Sequence, residues 1–130
     1  MKSKEDDLQV AVVTYLKLKY KALYCASLGG AYQKYKSQRM KSKRTGYVAG
    51  TPDLFIYEPR GCYHGLAIEL KAVGKSPYKK NGHYKKVYDV GGERHNQVEW
   101  IDRLSDRGYK AEFCTGFDNA KEVIDNYFNQ

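Results

Sequence analysis

The sequence predicts an α/β fold, a mixed central sheet with helices on its faces. Three observations predict it. Apolar residues recur at helical spacing near the start of the chain and again after residue 93. Between and after these helices stand short apolar runs of strand length, "ALYCASL", "DLFIY", "GLAIELK" and "YKAEFCT". Their order is helix, strand, strand, strand, helix, strand, helix, which calls for a mixed sheet with its helices packed on it. At 130 residues, 42% hydrophobic and 29% charged, the chain is expected to form one domain over residues 1–130. A chain of that length buries roughly two thirds of its unfolded surface in a single core.

The first helix is expected from about Lys4 to Lys19, opened by a capping box of Ser3 with Asp6. Leu8, Val12 and Tyr15 or Leu16 form its inward stripe, and Glu5 precedes them at the same interval. "ALYCASL" follows as a strand closed by Gly29-Gly30, then a long Lys/Tyr/Gly loop reaching about Gly50. "DLFIY" and "GLAIELK" form a hairpin around "EPRGCYH", whose Pro59 and Gly61 mark the turn. If Tyr57 faces Gly65, the antiparallel register sets Asp53 opposite Glu69. Leu66, Ile68 and Leu70 then share one face, and Ala67, Glu69 and Lys71 the other. The next segment, "AVGKSPYKKNGHYKKVYDVGG", is too polar and Gly-rich for a buried element and reads as a mobile loop. From about Glu93 a helix carries Gln97, Ile101 and Leu104 on one stripe and ends at Gly108. "YKAEFCT" alternates Tyr109, Ala111 and Phe113 as a strand, and "FDNAKEVIDNYF" closes as a helix.

Composition narrows the function. No apolar run approaches the ~20 residues needed to span a bilayer, and "MKSKEDDLQV" lacks the pattern of a secretory leader, so a cytoplasmic location is expected. Cys25, Cys62 and Cys114 are odd in number and widely spaced, which suggests no disulfide framework. Cys25 and Cys114 read as small buried strand residues, and Cys62, His64, His83 and His95 have no common zinc spacing.

The net charge of +8 is concentrated in two tracts without acids. The first, between Asp7 and Asp53, includes Lys34, Lys36, Arg39, Lys41, Lys43 and Arg44. The second, between Glu69 and Asp89, includes Lys75, Lys79, Lys80, Lys85 and Lys86. A basic run is often just a solvated surface, but two long acid-free tracts point to a polyanion whose counterions they release. Tyr32, Tyr35, Tyr47, Tyr78, Tyr84 and Tyr88 interleave the cations and offer flat faces to unpaired bases. Nucleic acid is the expected partner.

Cutting a phosphodiester requires charge stabilisation on the phosphoryl oxygens, an activated water and help for the leaving oxygen, which Mg²⁺ supplies from a site of one or two carboxylates and a carbonyl. Asp53, Glu69 and the backbone carbonyl of Leu70 fit that need. Lys71 can orient or deprotonate the water, and Glu5 can reach the metal through a water or hold a second ion. Helix-dipole pairing also explains Glu5, and a satisfied core amide also explains Gln97.

"GTPD" followed by "ELK" resembles the PD-(D/E)xK nuclease superfamily. The early "EDDLQ", the stretch "GGAYQKYKSQRMKSKRTGYVAGTPDLFI" and the later "QVEWIDRLSDRGY" resemble its VRR-NUC branch, from about Glu5 to Thr115. The resemblance implies a restriction-endonuclease-like fold, a mixed central sheet flanked by helices with an αβββαβ core. It implies that Asp53, Glu69 and Lys71 are catalytic, with Glu5 and Gln97 completing the site and Gln9, one turn after Glu5, a weaker match. It further implies Mg²⁺- or Mn²⁺-dependent cleavage of branched DNA. A chain so short resembles the stand-alone, phage-type members, implying a phage-encoded homodimer that resolves four-way (Holliday) junctions in the bacterial host. Two other readings stand beside it: a non-catalytic DNA- or RNA-binding module, and a sequence-specific restriction-type endonuclease.

Overall fold

In the computed structural model, which describes residues 4–27 and 36–130, four strands form one sheet in the order β1-β2-β3-β4. Helix α1 (Lys4–Tyr15) runs into a π-helical turn (Leu16–Tyr20) and strand β1 (Tyr24–Ala26); α2 (Lys36–Arg44) precedes β2 (Leu54–Ile56) and β3 (Leu66–Lys71). A 3₁₀ turn (Lys86–Tyr88), α3 (Glu93–Asp106), β4 (Lys110–Thr115) and α4 (Gly116–Phe128) follow. β1, β2 and β3 are antiparallel, and β3 and β4 are parallel, joined across α3 as a parallel pair requires.

The hairpin register is the predicted one. Leu54 faces Ile68, Phe55 faces Ala67 and Ile56 faces Leu66, so the next pair outward is Asp53 with Glu69. On one face Leu54, Ile56, Leu66, Ile68 and Leu70 pack against Val12 and Leu16 of the first helical segment and Ala120, Ile124 and Tyr127 of α4. On the other, Ala67, Ala111 and Phe113 meet Ile101 and Leu104 of α3, together with Tyr88. β3 is covered on both faces, so all six of its residues are buried, Glu69 and Lys71 among them. The strand alternation puts these two on the α3 face, with Gln97.

Several expectations need correction. The tract before Gly50 is not all loop. Residues 36–44 form α2, whose run without Gly, Pro or β-branched residues suits a helix, although no face of it is buried. The segment after β3 does bury residues: Tyr88 is 5% exposed, Pro77 is fully buried, and Tyr78 bridges Tyr84. Its tyrosines find apolar partners in Phe113 and one another, which outweighs the polar character of the surrounding lysines. Cys25 is exposed, since the sheet face it lies on is covered by α3 only toward β3 and β4; Cys114 is buried as expected. β1 is shorter than "ALYCASL", and the first α-helix stops at Tyr15, where the π turn takes over to Tyr20. Ser3 of the expected capping box and the Gly29-Gly30 pair lie outside the described residues.

α3 ends as a Schellman motif. Gly108, at φ +88°, and Tyr109 return their N–H groups to Ser105 and Leu104.

The π turn serves a hydrogen-bonded hub. Tyr15 and Tyr20 are five residues apart, and the i→i+5 winding brings both hydroxyls to Asp125 Oδ1 of α4, each at 2.6 Å. Lys121 and Lys19 add donors at 2.9 and 3.3 Å. Burial works against this charge, but the bonds from Tyr15, Tyr20, Lys121 and Lys19 outweigh it and hold the Asp125 carboxyl well below the usual carboxylate range. Asp125→Ala should therefore cost about 2 kcal/mol, chiefly through the two half-buried hydroxyls left without their acceptor. A depressed carboxyl contributes stability above its ordinary value of 3.8 and loses it as pH falls below that. Urea unfolding at pH 7 and at pH 2.5 checks both points, with the mutant's deficit shrinking at the lower pH.

Candidate active site

Asp53 is delivered by a loop pressed against α3. Trp100 Nε1 donates to the Ala49 carbonyl at 3.1 Å, and Pro52 is fully buried. Gly50 holds φ +88° and lies so close to α3 that a Cβ there would stand 2.7 Å from the carbonyl carbon of Asn96. Glycine is required at this position on both counts. The loop then enters β2 with Asp53 at the sheet end, facing the last residues of β3.

There the side chains and backbone interlock. The Asp53 carboxylate accepts the Leu70 N–H at 2.7 Å, and the Glu69 carboxylate accepts the Asp53 N–H at 3.1 Å. In an extended strand a residue's N–H and C=O point to the same edge. Gly65 gives its carbonyl to Lys110 of β4, so alternate residues of β3 turn toward β2 and Leu70 turns its carbonyl to the edge where Asp53 sits. The Lys71 ammonium donates to Gln97 Oε1 at 2.9 Å and lies 5.8 and 5.9 Å from the ring centres of Tyr88 and Phe113. Glu69, Lys71 and Gln97 are 5%, 8% and 8% exposed, a buried polar row on an otherwise apolar face.

Such burial has an electrostatic consequence. Desolvation raises the Asp53 carboxyl, the Leu70 N–H opposes it, Glu5 adds to it and Lys71 opposes it, with a net upward shift. Desolvation and then the charge of Asp53 push Glu69 up from 4.5 to about 9. Two carboxyl groups crowded into a dry corner beside one lysine cannot both ionise cheaply, and both are raised as a result. A divalent cation bound there would favour the ionised form of both. Among the described residues no group of three His, Cys, Asp or Glu could hold an ion. Asp53, Glu69 and the Leu70 carbonyl are the donors such an ion would meet, a small set that would suit one that keeps several waters, as Mg²⁺ does.

The other predicted residues lie further out. Glu5 is exposed in the first turn of α1 rather than tucked inward, acting on Asp53 and Glu69 through its charge. Its helix stripe becomes buried only at Val12. Gln9 is half-buried one turn on. Lys36, Arg39, Lys41, Lys43 and Arg44 are exposed along α2, with Tyr47 half-buried after it. Lys75, Lys79, Lys80 and Lys86 are exposed around the second tract, and Lys85 is half-buried. Lys34, Tyr32 and Tyr35 lie outside the described residues. Tyr88, expected to offer a face to bases, is buried against Lys71 instead. Sequence reasoning missed Phe113 as a neighbour of the lysine, although the parallel register of β3 with β4 pairs it with Glu69. It also missed Trp100, whose indole bond to a distant loop carbonyl leaves no periodic signal.

Comparisons with known proteins agree with this geometry. The family model of the VRR-NUC domain matches residues 3–118. A solved structure described as a VRR_NUC domain protein superposes with a TM-score of 0.70 at 31% sequence identity, covering 99% of this chain and 91% of its own. No curated protein matches the chain. With the family model spanning most of the sequence and the PD-(D/E)xK residues gathered at one end of the sheet, the chain belongs to the VRR-NUC domain family of the PD-(D/E)xK superfamily and is a nuclease domain.

Proposed function

We propose that this nuclease is a metal-dependent, structure-selective DNA endonuclease that resolves four-way junctions as a homodimer. The observation that carries the reading is the opposed, desolvated pair Asp53 and Glu69 with Lys71 on the same face. Mg²⁺ or Mn²⁺ held by Asp53, Glu69 and the Leu70 carbonyl would neutralise charge on the phosphoryl oxygens and make water a better nucleophile. Lys71, as an ammonium, would orient that water by donating a hydrogen bond, and its charge would offset the incoming phosphate. Gln97 fixes the ammonium by accepting one of its hydrogens. Glu5 extends the negative field that favours the cation.

The basic residues of α2 and of the segment after β3 supply sequence-independent affinity for a DNA backbone. A substrate with two-fold symmetry, cut on two strands, calls for two sites related by symmetry, as a C2 dimer provides. The test is a divalent-metal titration of cleavage on a four-way junction and on linear duplex of the same sequence. Cleavage should vanish in EDTA, return with Mg²⁺ or Mn²⁺, and favour the junction; a size measurement in solution should give a dimer. DNA binding without cleavage at any metal concentration would leave a binding module, and equal cutting of linear duplex at one sequence would mark a restriction-type enzyme.

A further inference from the structure

Lys71 is an unusual lysine: a strand residue 8% exposed, whose hydrogen bond among the described residues goes to a neutral amide. On the α3 face two ring centres lie 5.8 and 5.9 Å from its ammonium. Phe113 comes from the neighbouring strand β4 and belongs to the core. Tyr88 comes from the segment after β3, which elsewhere is largely exposed and basic. A buried tyrosine in such a segment needs a reason, and its fastening is elaborate. The Tyr88 N–H bonds the Lys85 carbonyl at 2.9 Å, Lys85 bonds buried Pro77 at 2.8 Å, and the Tyr88 carbonyl lies 3.2 Å from His95 Nδ1 of α3. Tyr84 packs on both Tyr88 and Phe113, at centroid distances of 6.1 Å to each, and stacks on Tyr78 at 5.0 Å.

We infer that Tyr88 is a positioning residue for Lys71: its ring and that of Phe113, packed edge to face at 5.9 Å, form an aromatic seat that holds the ammonium toward the Asp53–Glu69 corner. The inference rests on the nuclease reading of that corner. An ammonium is drawn to the quadrupole of a ring, more so where water is excluded. Gln97 anchors one hydrogen, and the rings limit where the remaining two can swing. An aliphatic side chain of similar bulk would fill the space but lack the attraction, leaving a four-carbon stem free to sample other rotamers. The seat also ties the lysine to the segment that carries Lys75, Lys79, Lys80, Lys85 and Lys86, so the residues facing the DNA backbone and the residue holding the lysine lie on one stretch of chain.

Tyr88→Leu, Tyr88→Phe and Phe113→Leu, each checked for folding by thermal melting, test the inference in a Mg²⁺-dependent cleavage assay on a four-way junction. Tyr88→Leu should lower kcat about tenfold or more with KM and DNA affinity in EDTA within about twofold of wild type, and Tyr88→Phe should restore the wild-type rate because it keeps the ring face. Phe113→Leu should show the same kcat-only loss, and it carries the test if Tyr88→Leu does not fold. A Tyr88→Leu enzyme with unchanged kcat overturns the inference, as does a Tyr88→Phe enzyme as slow as Tyr88→Leu, which would place the effect on the hydroxyl. Wild-type protein that does not cut under any divalent metal overturns the nuclease reading itself, a separate result visible before any variant is compared.

Discussion

Asp53→Asn and Lys71→Ala should each reduce DNA cleavage by about a thousandfold or more while leaving DNA affinity within a factor of about three. The two substitutions act on different parts of one event. Asp53→Asn keeps the acceptor oxygen for the Leu70 N–H and the size of the side chain. It removes the negative charge on which the proposed divalent cation would depend, so the loss should fall on metal loading and chemistry. Lys71→Ala leaves both carboxylates but takes away the ammonium, and it leaves Gln97 Oε1 without its donor in a buried site. Affinity should survive in both because the cations expected to bind the DNA backbone lie elsewhere, on α2 and after β3. Gel-shift measurements in EDTA beside cleavage rates in Mg²⁺ separate the effects. Cleavage by Asp53→Asn at a tenth of the wild-type rate or faster would remove Asp53 from the metal site.

How much of this was legible from residues alone depended on how local the physics was. The hairpin of β2 and β3 was readable to the residue, because Pro59, Gly61 and the alternation of "LAIELK" fix both turn and face, and the Asp53–Glu69 pairing follows from them. Gln97 was readable as inward because Ile101 and Leu104 share its stripe. α2 was not, since a helix with no buried face leaves no hydrophobic period. The burial of Tyr88 was also hidden: its partners Lys71 and Phe113 are distant in sequence, and lysine-rich flanks mask a segment whose tyrosines do the packing. Glu5 shows the opposite error. Its spacing put it on the apolar stripe, but it stands one turn before the helix meets the sheet and remains in water.

Glu69→Gln should abolish cleavage as Asp53→Asn does, yet make the metal-free protein more stable above neutral pH. Burial and the nearby Asp53 raise the Glu69 carboxyl from 4.5 to about 9, so the folded chain holds a proton that the unfolded chain releases. A raised carboxyl contributes its full stability below the unfolded value, and that contribution is lost as pH climbs toward the folded value. Between about pH 4.5 and 9 the wild type in EDTA should therefore lose stability steadily as the unfolded state sheds the proton. The amide has no proton to lose and keeps an oxygen to accept the Asp53 N–H. At pH 8 in EDTA Glu69→Gln should exceed wild type by about 1–3 kcal/mol, with the two converging near pH 5. Divalent metal should then reverse the order, because a ligand that binds only the folded wild type stabilises it by mass action. Differential scanning calorimetry across that pH range, with EDTA and with Mn²⁺, makes the comparison. A variant that melts below wild type at pH 8 in EDTA would mean that the folded chain holds the Glu69 carboxylate ionised and already compensated without a metal.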